Sequence, residues 1–251
     1  MSLPHFSSLS SFTFLPPPRS SPTPTTRLRC SFHTRPSTST TATTLSNILN
    51  SGVIACLRAK SADVALEAAR AAITGGISVL EIVVSTPGVF EVLHQLVQDF
   101  PTTTLGVGTV LNTEDATKAK NAGAKFIMSP AIDILDEDSD ELLYIPGAMT
   151  PTEILSSYDA GAKIVKVYPV SALGGVQYIA TLKKPFPNIP LIASQGITSD
   201  LIGEYISNGA SSVVVSDAIF EKEAMAQRNF TAVYRLAQIA ASQANRFVKK
   251  C

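Results

Sequence analysis

Lys163-Ile164-Val165-Lys166-Val167-Tyr168-Pro169 decides the architecture of this chain, because it reads as a strand apolar on both faces with one charge inside it. Period-2 alternation sends Ile164, Lys166 and Tyr168 one way and Val165 and Val167 the other. A strand apolar on both sides belongs to a parallel sheet covered by helices. Lys166 therefore projects into a mostly apolar space, where lost hydration favours the neutral amine. A neutral amine is nucleophilic toward carbonyls, the starting condition for a Schiff base. An ion pair with a carboxylate would explain the same lysine, and the stretch alone leaves both readings open.

Outward from this strand, short apolar runs alternate with amphipathic stretches. Upstream, strands are expected at 53–57, 77–84, 105–110, 125–128 and 143–146; downstream, at 190–193 and 211–215. Helices are expected at 62–74, ending at Gly75-Gly76, and at 88–99, after Pro87. Asn112 or Thr113 caps a third, ending near Gly123, and Thr150 caps a fourth that opens on Pro151 and ends by Gly161. Further helices follow at 176–183 and 198–208, and a long closing helix at 221–248. A less regular acidic segment runs from Asp133 to Glu141.

Eight strand–helix units in about two hundred residues point to an α/β fold, a single-domain TIM (β/α)8 barrel over residues 45–251. An open doubly wound sheet would carry a glycine-rich first βα turn, and Arg58-Ala59-Lys60-Ser61 contains no glycine. No dinucleotide fingerprint or P-loop is present in the sequence. In a barrel, chemistry gathers where strands end and βα loops begin.

Composition narrows the partners. The 251 residues are 45% hydrophobic, with 20 basic and 20 acidic side chains, which suits one large core. Balanced charge without a basic run argues against nucleic acid, and no apolar stretch approaches the ~20 residues that span a bilayer. Cys30, Cys56 and Cys251 lie far apart, and His5, His33 and His94 form no cluster, so neither a disulfide framework nor a metal site is expected. Residues 1–44 differ in kind: they are rich in Ser, Thr and Pro, carry Arg19, Arg27, Arg29 and Arg35, and precede the first acidic residue, Asp63. That is the composition of an organelle transit peptide, with a merely disordered tail the alternative; the sparse arginines favour a plastid, hence the chloroplast stroma. Leu28-Arg29-Cys30-Ser31 resembles a plastid processing site.

Polar residues stand where barrel strands should be apolar. Glu81 shares a strand face with Val79 and Val83 and, with Lys166, forms a pair able to exchange protons near neutral pH. A structural ion pair is the alternative, although buried ion pairs are weak devices for stability. Arg58 closes the first strand as a fixed cation suited to a carboxylate, a solvated loop arginine being the alternative. Thr109, within Gly106-Val107-Gly108-Thr109-Val110, places a hydroxyl at the end of the third strand, and the glycines permit close approach. Ser194-Gln195-Gly196-Ile197-Thr198 leads into a helix N-terminus whose N–H groups suit an anion, unless Thr198 is simply its N-cap.

These residues resemble a known family. Val79-Leu80-Glu81-Ile82, Gly106-Val107-Gly108-Thr109-Val110-Leu111, Met128-Ser129-Pro130, Tyr144-Ile145-Pro146-Gly147 and the Lys163–Pro169 stretch are similar, in order and spacing, to the 2-keto-3-deoxy-6-phosphogluconate (KDPG/KHG) aldolase family. The resemblance covers about residues 45–248. The segment 169–182 is especially similar to the branch acting on the phosphogalactonate epimer. Such members are class I aldolases on homotrimeric TIM barrels. They cleave a keto-deoxy sugar acid phosphate to pyruvate and glyceraldehyde 3-phosphate, and some take 4-hydroxy-2-oxoglutarate. The resemblance implies Lys166 as the Schiff-base lysine and Glu81 as the general acid/base. It implies Thr109 as the hydroxyl on the pyruvate carboxylate and Pro130 as the pocket floor. No metal or organic cofactor is implied, because the protonated imine is the electron sink.

The chain departs from the pattern in places. Ser85 stands where bacterial phosphogluconate enzymes place an arginine, and Arg58 matches an arginine of the phosphogalactonate branch. A Gly-Gly pair after strand seven is reduced to Gln195-Gly196, and Ser216-Asp217-Ala218 follows strand eight. The expected activity is that of a plastid class I aldolase on 2-keto-3-deoxy-6-phosphogluconate, with Arg58, Thr109, Pro130, Ser194 and Gly196 binding substrate. The alternatives are aldol cleavage of 4-hydroxy-2-oxoglutarate or oxaloacetate decarboxylation on nonphosphorylated acids, and a non-catalytic keto-acid-binding barrel.

Overall fold

The computed structural model describes residues 39–131 and 141–248, and its frame follows from β-branched strands alternating with alanine-rich helices. The strands are β1 (Val53–Leu57), β2 (Val79–Val83), β3 (Thr104–Gly108), β4 (Phe126–Met128), β5 (Leu143–Ile145), β6 (Gly147–Ala148), β7 (Val165–Val167), β8 (Leu191–Ser194) and β9 (Ser212–Val215). The helices are α1 (Thr40–Ser51), α2 (Ala62–Thr74), α3 (Val89–Asp99), α4 (Thr113–Asn121), α5 (Pro151–Asp159), α6 (Val176–Leu182), α7 (Ile202–Ser207), α8 (Lys222–Ala226) and α9 (Phe230–Phe247).

The strands pair in parallel in the order β5-β4-β3-β2-β1-β9-β8-β7-β6. The two ends of that order are separated in sequence only by Pro146, so one kinked strand closes the ring. Proline removes a ladder donor. Its carbonyl still accepts from the Lys166 amide at 2.8 Å, and Ser129 and Tyr168 bond the flanking residues on either side. Counting β5 and β6 as one, this is the expected eight-stranded (β/α)8 barrel.

Strand alternation sorts the side chains into two cores. Ala55, Leu80, Val107, Val165 and Val213 face the helices. Ile54, Val79, Phe126, Ile145, Ile164 and Ile192 face the barrel interior, where they meet Ile48 of α1. Gly106 makes that filling possible, since a Cβ there would lie 2.6 Å from the Phe126 ring. The α5 start is well signalled: the Thr150 hydroxyl accepts from the Glu153 amide, Glu153 accepts from the Thr150 amide at 2.8 Å, and Pro151 opens the helix.

Several expectations need correction. Among the described residues the first element is α1, capped by Ser39, a helix that sequence periodicity did not announce and that runs across residue 44. Its apolar residues Leu45, Ile48 and Leu49 pack under the barrel, which rewards helix formation in a threonine-rich stretch. The helix expected at 198–208 is only α7, preceded by a turn in which the Leu201 amide bonds the Thr198 carbonyl, so Thr198 is not its N-cap. The closing helix is two, α8 and α9, because Arg228 adopts a left-handed φ of 54° between them. A short 3-10 turn, Val170–Leu173, follows β7. The leader up to residue 38 and most of the acidic segment, 132–140, lie outside the described residues.

Candidate active site

Lys166 occupies the middle of β7, in register with Gly147 of β6 and Ile192 of β8. Ile164, two residues earlier, belongs to the interior cluster, so Lys166 points into the barrel, as the alternation predicts. It is 6% exposed. Burial lowers its pKa from the ordinary lysine value of 10.5, partly opposed by the negative field of Glu81. No ion pair among the described residues includes Lys166 or Glu81, which removes the simple salt-bridge account. The ammonium lies 5.4 Å from the ring centroid of Tyr168, on the same strand face nearer the mouth.

Glu81 lies on β2 and is 4% exposed. Its strand partners are Cys56 on β1 and Gly106 on β3. The carboxylate leans over Gly108, where an added Cβ would come within 2.8 Å of Glu81 Cδ. Oε2 is buried and bonds to no group of the protein. A buried unpaired carboxylate oxygen is costly and calls for a functional explanation. Cys56 is the β1 register partner of Glu81; burial first, then the charge of Glu81, pushes its thiol well above its ordinary range.

The remaining candidates rim the same end of the barrel. Arg58, exposed just past β1, donates from Nη1 to the Ser85 hydroxyl just past β2. Thr86, buried beside Ser85, accepts from the Ala59 amide at 3.3 Å, tying these two loops together. Thr109 follows β3 with φ 61°, a left-handed backbone that a β-branched residue adopts only at a cost of order 1–3 kcal/mol. Pro130 follows β4 and packs its backbone against Gly147, the register partner of Lys166; a Cβ on Gly147 would lie 2.5 Å from the Pro130 carbonyl oxygen. Ser194 ends β8, buried and two residues beyond the inward Ile192.

Gly196 does not stand at a helix N-terminus, because α7 begins only at Ile202, after a turn. It sits instead beneath Ser171 of the 3-10 turn, whose hydroxyl bonds the Gln195 carboxamide. Gln195 has φ 88°, a second left-handed residue directly after a strand. Thus Lys166, Glu81, Cys56 and Arg58 interact electrostatically, Pro130 joins through Gly147, and Thr109, Ser194 and Gly196 stand at neighbouring strand ends. Sequence reasoning passed over Cys56, although its place two residues after the inward Ile54 marks the same face.

A buried amine of lowered basicity beside an unpaired carboxylate suits carbonyl addition followed by proton shuttling. A family model described as KDPG and KHG aldolase matches residues 45–236. The chain is 33% identical over 158 residues to a 2-dehydro-3-deoxy-phosphogluconate aldolase of Pseudoalteromonas atlantica, covering 62% of this chain and 74% of the relative. It is 28% identical over 187 residues to the KHG/KDPG aldolase of Escherichia coli K12, covering 70% and 88%. Among solved structures, the KDPG aldolase of Legionella pneumophila, captured with pyruvate as a covalent carbinolamine, superposes with TM-score 0.72 at 27% identity. That match covers 80% of this chain and 97% of the other.

Proposed function

This chain belongs to the KDPG and KHG aldolase family, and on that premise we propose that it is a class I aldolase that cleaves 2-keto-3-deoxy-6-phosphogluconate to pyruvate and glyceraldehyde 3-phosphate. The observation that carries the proposal is Lys166, buried inside the barrel without an ionic partner and facing the field of Glu81. The neutral amine adds to the C2 ketone, and the resulting carbinolamine takes up a proton at its hydroxyl and loses water to give a protonated imine. Glu81 takes the C4 hydroxyl proton as the C3–C4 bond breaks, and the bonding pair moves into the imine as an enamine. Glyceraldehyde 3-phosphate leaves, C3 is protonated, and water releases pyruvate and regenerates the amine. The Arg58 guanidinium and the Thr109 hydroxyl bind the substrate carboxylate, with Ser85 holding Arg58 across the mouth. Pro130 shapes the pocket floor, and Ser194 and Gly196 border the distal end.

One observation favours a second substrate. The distal rim carries the Gln195 carboxamide bonded to Ser171, and the exposed carboxylate of Asp217 follows β9. A carboxylate near a phosphate dianion is repulsive. The nonphosphorylated 4-hydroxy-2-oxoglutarate is therefore the competing substrate. Comparing kcat/KM for the two acids tests the choice: a clear preference for the phosphorylated acid is expected, and equal or reversed preference overturns it.

The acid-free, Ser/Thr-rich leader supports import into the chloroplast stroma, testable by fusing residues 1–44 to a fluorescent protein. Family membership, together with exposed Met149, Leu155 and Tyr158 around α5, supports a homotrimer, testable by light scattering. A small keto acid is the partner proposed, rather than nucleic acid or membrane.

A further inference from the structure

We propose that Tyr168 is a positioning residue for the Schiff-base nitrogen: its ring face lies against Lys166 Nζ and holds the positive charge of the iminium while Glu81 loses its own charge to a proton. This rests on Lys166 and Glu81 acting as proposed above.

Strand parity puts the ring there. Tyr168 lies two residues beyond Lys166 on the same face of the strand, about 7 Å further toward the mouth. Its amide bonds the Ala148 carbonyl at 3.0 Å, so the backbone that carries the ring is tied to the sheet. Nζ stands over the ring at 5.4 Å from the centroid, inside the ~6 Å within which an aromatic quadrupole attracts a cation. Lys166 is almost wholly buried, so little water competes for the contact.

The chemistry gives such a contact work that a carboxylate does only in part. Between carbinolamine and enamine, each barrier is crossed with positive charge on this nitrogen, wholly in the loss of water and partly as the C3–C4 pair arrives. Glu81 is the carboxylate whose field reaches Lys166, and no ion pair among the described residues adds another. The other titratable neighbour, the Cys56 thiol on β1, is pushed up by burial and stays neutral. When Glu81 accepts the C4 hydroxyl proton it becomes neutral and its attraction is lost. The ring takes up no proton, so its attraction persists through that transfer. Relative to the free neutral amine, the contact lowers these barriers, and the effect is read in kcat/KM.

The test uses Tyr168→Phe, Tyr168→Leu and phenylalanines at position 168 bearing one, two or three ring fluorines, which drain the π face at nearly constant shape. All are made in the full chain. The readings are kcat/KM and borohydride trapping of pyruvate on the high-pH plateau, where the free amine is neutral, with Tm alongside. Tyr168→Leu is expected to lower kcat/KM by about threefold to thirtyfold, and to raise the pyruvate concentration for half-maximal trapping by a similar factor. Tyr168→Phe, which keeps the ring, is expected to recover most of that loss. Along the fluorine series kcat/KM falls stepwise while Tm holds. Toward lower pH the ammonium of the free enzyme shares the same contact, and the differences narrow. A flat fluorine series overturns the assignment, as does a Tyr168→Phe loss equal to that of Tyr168→Leu. Trapping separates the two levels of failure. A parent enzyme that traps no pyruvate defeats the Schiff-base reading and this one with it, whereas normal trapping with a flat series defeats only the role of Tyr168.

Discussion

Lys166 exchanges stability for reactivity. Because burial lowers its pKa in the fold, the unfolded chain binds more protons in the window below 10.5, so stability rises with pH through that window. The penalty is fully present at lower pH. Lys166→Met removes it and is expected to raise Tm at neutral pH, by roughly 2–4 °C for each kcal/mol relieved, while abolishing turnover. The same shift predicts that imine formation with pyruvate rises with pH to a plateau whose midpoint lies below that of an ordinary lysine; a midpoint at 10.5 contradicts it. Glu81→Gln is expected to preserve imine trapping while slowing turnover about a hundredfold or more. Unchanged turnover refutes its role as proton carrier.

Individual elements divide the work between packing and chemistry. β3 contributes two inward glycines with different duties: Gly106 makes room for Phe126, and Gly108 for the Glu81 carboxylate. Gly108→Ala is expected to cost far more activity than Gly106→Ala, with circular dichroism and turnover measured side by side; the reverse order contradicts this division. α1 closes the barrel floor through Ile48, so Ile48→Ala is expected to destabilise by about 2–5 kcal/mol in denaturant melts, with KM unchanged. The eight strands were readable because their alternation is regular and glycines punctuate them. α1 was not, because Thr40–Ser51 is threonine-rich and its helicity comes from tertiary burial of three apolar residues. The break between α8 and α9 was hidden likewise, since no glycine or proline marks Arg228.

At the scale of the whole molecule, the barrel brings together side chains that are distant in sequence, and only the parity of each strand foretold which would meet. Lys166 and Glu81 were visible as charges on apolar strands. Cys56 was not, because a cysteine on an apolar strand is unremarkable until its neighbour is a carboxylate. The distal rim was misread at Gly196, where a turn delays the helix and local hydrogen bonds, not apolar periodicity, decide the path. The account as a whole depends on one bond, between Lys166 and a keto acid. Incubating the enzyme with pyruvate, reducing with borohydride and mapping the adduct by peptide mass spectrometry tests that bond. The predicted result is a reduced pyruvyl adduct on Lys166 that disappears in Lys166→Met. No adduct, or an adduct on another lysine that persists in the variant, contradicts the account.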